Sequence, residues 1–161
     1  GWLERLAIEL LASDASPKAI ARAKKGCYGQ RAFRNLPPAM HEKYFVSHEN
    51  QWRVVPELHQ RVSFDIVNLV AEDQVRRHAA APVIFCRNVF IYFSDESIRR
   101  TIRVFERAMP APGYLCVGAS ESLLRRTIAF ELQEIGGAFV YVKGAPTQTP
   151  SPRLLHVERT S

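Results

Sequence analysis

The run Ala81-Pro82-Val83-Ile84-Phe85-Cys86-Arg87-Asn88-Val89-Phe90-Ile91-Tyr92-Phe93 decides the reading of this chain. Val83 to Cys86 is uninterrupted and β-prone, the pattern of a strand covered on both faces of a parallel sheet. Arg87-Asn88 then breaks the apolar text, and five apolar or aromatic residues follow. Open α/β sheets bind ligands in the crevice outside the carboxyl ends of their strands. Arg87, Asn88 and Tyr92 therefore stand where a small molecule is expected. The alternative is that Arg87 pairs with a structural acid and Tyr92 belongs to the core. Two polar residues interrupting a buried strand make that alternative uncomfortable.

The neighbouring text repeats a strand-turn-helix grammar. Leu6 to Asp14 reads as a strand ending in an acid, and Ser16-Pro17 opens a helix with serine as N-cap and proline at its first position. Ile20, with Ala21 or Ala23, faces inward, and Gly26 closes the helix. Tyr28 to His48 reads as a polar connection containing a short amphipathic piece, Ala39 to Phe45. Gln51 to Val55 and Arg61 to Phe64 alternate as short, half-exposed antiparallel strands do. Past Tyr92, Ser94 caps a helix whose first turn holds Asp95 and Glu96 and whose apolar stripe is Ile98, Ile102, Phe105 and Met109. Tyr114 to Gly118 is a further buried strand. Ala129 to Glu134 and Ala138 to Lys143 flank a Gly136-Gly137 hairpin turn. From Gly144 onward the Pro, Thr and Ser content predicts a disordered tail or linker over residues 144–161.

Composition bounds the function. The 161 residues suffice for one domain with a core, and no apolar run reaches the roughly 20 residues of a membrane helix. Cys27, Cys86 and Cys116 are widely spaced, which argues against a disulfide framework and for a cytoplasmic home. The net charge of +6 comes from scattered residues without interleaved stacking aromatics, so nucleic-acid binding is not expected. An acidic protein partner fits the charge, as does an ordinary solvated surface. The five histidines show no metal-ligand spacing, and neither GxSxG nor a phosphate-cradling GxxxxGKS/T is present.

Four further places carry candidate chemistry. Asp14 closes its strand where nucleoside-binding folds place an acid for the two ribose hydroxyls, or it is simply the turn acid before Ser16. Asn68 after a third strand can donate and accept toward an adenine edge while Leu69 packs on the ring; alone, such an asparagine is a turn former. Ser120-Glu121-Ser122 follows the Tyr114 strand, where it could rim the pocket, and reads better as a cap for a following helix. Arg99, Arg100, Arg103 and Arg107 make a basic face on one helix, ordinarily a solvated one, with docking of an acidic helix of a protein partner as the alternative.

The Phe85 to Phe93 stretch resembles the FCRNVxIYF signature of the chemoreceptor methyltransferases, the CheR family. Ala12 to Ser16 is similar to the family's strand-2 acid motif, and Gly26-Cys27-Tyr28 with Phe33-Arg34-Asn35-Leu36 and Tyr44-Phe45 to its GxY, FRNL and YF connection. Val67-Asn68-Leu69 matches its adenine-side pair, and Pro112 to Leu115 with Gly118 to Glu121 its PGGxLxxGxSE segment. The likeness runs over residues 7 to 143. It implies a Rossmann-like class I methyltransferase α/β sheet with an antiparallel final hairpin. A small antiparallel β-subdomain is implied at 46–62, within a partial catalytic domain at 1–143. It further implies S-adenosylmethionine as cofactor, S-adenosylhomocysteine as product and glutamate side chains of methyl-accepting chemotaxis receptors as substrate. Asp14, Asn68, Leu69, Arg87 and Asn88 are then the cofactor-binding residues, and Tyr92, with Arg87, is catalytic beside the transferred methyl. A monomer without membrane insertion is expected.

The family's first strand, its Gly-rich loop, a preceding helical domain and an upstream substrate-positioning arginine have no counterpart before Leu6. The chain therefore resembles the C-terminal two-thirds of such an enzyme, with a non-catalytic cofactor- or receptor-binding module as the alternative. The β-subdomain lacks glycines where members that grip a receptor's terminal peptide carry them, so no such tether is expected. A nicotinamide oxidoreductase finds no GxGxxG. A methyltransferase for nucleic acid or a small molecule would share the cofactor site and differ only in substrate-facing residues.

Overall fold

In a computed structural model, residues 7–123 and 129–144 are described, and the chain divides into two compact units, Gly1–His78 and Ala79–Ser161. The fold is mixed α/β in both units. The expected tail lies, apart from Gly144, outside the described residues.

In the first unit, strand β1 (Leu10–Asp14) leads into helix α1 (Pro17–Lys25). The helix forms as its sequence dictates. The Ser16 side chain accepts from the Ala19 N–H, Pro17 fills the first turn, and Gly26 ends it in the left-handed conformation at φ 63°. Ile20 is buried, and Ala23 rather than Ala21 accompanies it. Gly26 is also required for space, because a Cβ there would lie 2.9 Å from the His59 ring. Strand β5 (Val62–Ile66) pairs in parallel with β1, Asp14 opposite Ile66, so both strands end at the same edge. Helix α4 (Glu72–Ala79) follows, its Val75 and Ala79 fully buried; the sequence pattern had not marked it.

The small antiparallel sheet consists of β2 (Cys27–Tyr28), β3 (Phe45–His48) and β4 (Gln51–Val54), in the order β2-β4-β3. It packs around Phe33, whose ring meets His41 and Phe45 edge-on at 4.6 and 4.8 Å, and Trp52 meets His41 at 4.3 Å. Such pairs add about 0.5–1.5 kcal/mol each beyond their buried area. Helix α2 (Pro38–Tyr44) carries His41, where an amphipathic piece was expected. The expected boundaries of 46–62 need correction. The sheet begins at Cys27, residues Pro56–His59 form the short helix α3, and the Val62 strand joins β1 instead. Alternation reports a half-exposed strand but carries no information about the direction of its neighbour.

In the second unit, β6 (Val83–Cys86), β7 (Gly113–Val117), β8 (Phe130–Ile135) and β9 (Ala138–Lys143) form one sheet in the order β6-β7-β9-β8. β6 and β7 are parallel, and β9 is antiparallel to β7 and to β8. The hairpin turn at Gly136-Gly137 has φ of 59° and 80°, which only glycine adopts freely. Helix α5 (Asp95–Ala108) is capped by Ser94, which accepts from the Ser97 N–H. Its buried face is Ile98, Thr101, Ile102, Val104 and Phe105, with Met109 just beyond. The Lys143 ammonium donates to the carbonyls of Glu106 and Met109, satisfying orphan acceptors at the helix end.

One expectation fails on β6. Its apolar run predicted cover on both faces, yet Val83 and Phe85 are 46% and 74% exposed and only Cys86 is buried. β6 is an edge strand of its sheet, pairing with β7 alone among the described residues. Composition reports what a strand could bury, not what lies against it.

Candidate functional site

β6 ends at Cys86, and the chain turns sharply at Asn88, whose φ of 59° is left-handed. Asparagine tolerates this region better than other residues with a Cβ, at a cost of about 1–2 kcal/mol per residue. A single turn of 3₁₀ helix, Phe90–Tyr92, then leads to Ser94 and α5. The segment is held from below. Glu121 is buried, and its Oε2 accepts from the Gly118 and Asn88 N–H groups at 2.6 and 2.7 Å. Its Oε1 accepts from the Ile91 N–H at 3.3 Å. One carboxylate thereby ties the loops after β6 and β7 to each other.

Electrostatics agree with that role. Burial pushes the Glu121 carboxyl up, but N–H donation from Gly118, Asn88, Phe90 and Ile91 outweighs it and holds the group below the ordinary carboxylate range. Glu121 is therefore ionised and acts as an acceptor, not as a proton donor. Burial, with the Glu121 charge adding to it, pushes the Cys86 thiol up to about 12. Burial also raises Cys116, opposed by the Arg87 charge. Neither thiol is a nucleophile near neutral pH. A cavity of about 100 Å³ beneath the loop, lined by Phe90, Ile91, Ile98 and Ser120 to Leu123, is too small for a nucleoside cofactor.

Above this anchored backbone the side chains are idle. Arg87 and Asn88 are exposed, and Arg87 has no ion pair among the described residues. Tyr92 is 82% exposed. Neither the structural ion pair for Arg87 nor the core position for Tyr92 is realised. The loop thus combines a backbone hydrogen-bonded to Glu121 with exposed side chains.

In the first unit, Asp14 and Asn68 lie at the carboxyl ends of the adjacent strands β1 and β5. The Val67 N–H donates to the Asp14 carbonyl at 3.1 Å, fixing that edge. Asp14 Oδ1 accepts from the Ser16 N–H at 2.7 Å. The turn role is thus real, and it uses one oxygen; Oδ2 has no partner among the described residues. Asn68 Oδ1 accepts from the Val70 N–H at 3.1 Å, and its own N–H donates to Gln74 Oε1 at 3.0 Å. Its carbonyl oxygen is engaged locally, which leaves the amide NH₂ as the group with free capacity. Leu69 beside it is half-buried. A shallow cavity of about 460 Å³, lined by Arg31, Ala32, Arg34, Asn35 and Leu36, includes none of these residues. Ser120-Glu121-Ser122 was expected to cap a helix, and residues 124–128, where that helix would run, lie outside the described residues. Glu121 is instead the anchor that sequence reasoning missed.

A sequence model described as the CheR methyltransferase, SAM binding domain, matches residues 3–138. The chain belongs to the CheR methyltransferase family. It is 32% identical over 142 residues to chemotaxis protein methyltransferase 2 of Vibrio cholerae serotype O1, covering 88% of this chain and 49% of that one. It is 31% identical over 136 residues to chemotaxis protein methyltransferase 1 of Pseudomonas aeruginosa, covering 83% and 49%. With the chemotaxis protein methyltransferase of Escherichia coli K12 it shares 32% identity over 129 residues, covering 78% and 45%. The chain thus spans about half the length of the curated relatives it matches. The CheR domain's cofactor is S-adenosylmethionine, and the open groups found here fit it. Taken unit by unit, the first offers a carboxylate oxygen and an amide NH₂ of the chemistry a nucleoside takes, and the second a guanidinium and an exposed aromatic ring of the chemistry a carboxylate and a sulfonium cation take. Among the described residues no helix is long and apolar enough to cross a membrane.

Proposed function

We propose that this chain is part of an S-adenosylmethionine-dependent protein-glutamate O-methyltransferase whose substrates are methyl-accepting chemotaxis receptors. Residues 1–143 are its partial catalytic domain, working in the cytoplasm as a monomer. The observation that carries the reading is the loop of Arg87, Asn88 and Tyr92, rigid in its backbone through Glu121 and unpartnered in its side chains.

The cofactor supplies an activated methyl on a sulfonium centre. A glutamate carboxylate is ionised near pH 7, so the chain needs no general base. It must orient the acceptor in line and exclude water, and positioning of this kind removes much of a bimolecular barrier. Asp14 accepts from the ribose hydroxyls through its open oxygen, Asn68 donates to the adenine edge, and Leu69 packs against the ring. Arg87 and Asn88 bind the amino-acid end of the cofactor. Tyr92 lies beside the transferred methyl and orients the acceptor carboxylate through its hydroxyl.

The test is methyl transfer from labelled S-adenosylmethionine to receptor-containing membranes by the full-length protein, scored as methanol released by alkali. Label above the level of a boiled control is the expected result. No label, with cofactor binding intact, would replace the enzyme reading by a binding module. Within this reading, Asp14→Ala is expected to weaken cofactor binding at least about tenfold by calorimetry, the loss of a charge-assisted hydrogen bond. Unchanged affinity would remove the ribose assignment. Tyr92→Phe is expected to lower kcat about threefold to tenfold while leaving cofactor affinity within twofold. The reverse pattern would confine Tyr92 to cofactor binding.

A further inference from the structure

Helix α5 turns its buried side to Ile98, Ile102 and Phe105, and its opposite side is charged throughout. At 100° per residue, positions 99, 100, 103 and 107 fall within about 100° of arc, and they span about 12 Å of helix axis. Arg99, Arg100 and Arg103 are exposed and have no ion pair among the described residues. Glu96 stands one turn ahead of Arg100, the spacing that favours an ion pair, yet none joins them. Arg107 continues the row.

We infer that the Arg99–Arg100–Arg103 face of α5 is a docking surface for an acidic helix of the protein substrate. The inference rests on the methyltransferase reading above and names where the substrate is gripped away from the reacting group. Three observations select this occupant. The cations are all arginine, whose planar fork pairs bidentately with carboxylates. Carboxylates three and four residues apart on a partner helix repeat at the spacing of this row. The exposed residues of the face are Asp95, Glu96 and arginines, with no aromatic to stack on bases and no apolar residue to enter a bilayer. The placement is also useful. Tyr92 lies three residues before the helix, so a partner held on α5 is held by the element that the Tyr92 loop leads into.

The experiment compares the full-length protein with its Arg99→Glu/Arg100→Glu/Arg103→Glu variant. Affinity for the purified cytoplasmic fragment of a chemotaxis receptor is read by anisotropy, and methyl transfer is measured separately. All three side chains are exposed, so the variant is expected to keep its Tm and its cofactor affinity. Its receptor affinity should fall at least about tenfold, with a shallower salt dependence and a raised KM at unchanged kcat. The Arg→Lys triple variant should regain part of the loss. Receptor affinity unchanged in the Glu variant would overturn the docking surface. So would unchanged receptor affinity accompanied by lost binding to anionic lipid vesicles, which would assign the face to a membrane surface. Wild-type binding without methyl transfer would sink the enzyme reading and leave the docking surface standing. Transfer with indifferent affinity would do the opposite.

Discussion

Gly118→Ala is expected to lower the stability of this protein by about 1–3 kcal/mol, the range for overpacking a tight site, and to disturb the Arg87–Tyr92 loop. Gly118 is not needed for an unusual backbone angle. It is needed because a Cβ there would lie 2.6 Å from both Asn88 Oδ1 and Glu121 Oε2, and 3.2 Å from the Asn88 amide nitrogen. A flexible side-chain end could move aside, but Glu121 Oε2 is fixed by two N–H donors at 2.6 and 2.7 Å. Alanine must therefore displace the anchor or the loop. Thermal unfolding should show Tm lowered by about 2–12 °C, and cofactor affinity should drop with it. The mechanism is separable by a double-mutant cycle. If the cost arises from the collision with Glu121, Gly118→Ala should cost far less in an Glu121→Ala background than in the wild type. Additive costs would locate the effect elsewhere.

Much of the fold could be read locally because local rules governed it. Ser16, Pro17 and Gly26 mark both ends of α1, and the structure uses each residue for its expected purpose. Ile98, Ile102, Phe105 and Met109 describe the buried side of α5 because one face of that helix carries nearly all its apolar residues. The Gly136-Gly137 turn fixes the register of the final hairpin, Ile135 opposite Ala138. What failed was non-local. Arg61 to Phe64 alternates equally well beside a parallel or an antiparallel neighbour, and its pairing with β1 is set by residues about 50 positions away. The apolar run of β6 could not report that Phe85 would remain open.

The candidate site divides along the same line. Arg87, Asn88 and Tyr92 stand out in the sequence because polar residues interrupt an apolar run, and the structure leaves all three exposed. Asp14 and Asn68 were each open to a turn reading and a ligand reading, and the structure uses one acceptor of each for the turn while leaving other capacity unused. Glu121 was not legible. Its partners Asn88 and Ile91 lie 33 and 30 residues away, and the groups it binds are backbone amides that every residue possesses. Only its position beside Gly118, after a strand, hinted that a small residue and an acid were needed together.

Glu121→Gln tests that anchor at constant shape. The carboxylate accepts the Gly118 and Asn88 N–H groups on Oε2 and that of Ile91 on Oε1, and the Phe90 N–H adds to its stabilisation. An amide can place its oxygen toward Gly118 and Asn88, but its NH₂ then faces the Ile91 N–H, donor against donor. The expected loss is about 1.5–3 kcal/mol, the range for a buried hydrogen bond to a charged group. The pH dependence distinguishes a charged anchor from a merely well-packed one. Hydrogen bonding holds the folded carboxyl below its ordinary value of 4.5. A depressed folded pKa means that the unfolded state binds more protons as the pH falls. The stabilisation is therefore complete above the unfolded value and is lost as the pH drops through the folded one. The Tm gap between wild type and Glu121→Gln should be constant near neutrality and should narrow progressively below about pH 4.5. Other carboxylates titrate in both proteins and cancel in the difference. A gap that stayed the same from pH 7 to pH 3, or no gap at all, would show that Glu121 holds the Arg87–Tyr92 loop by packing and not by charge.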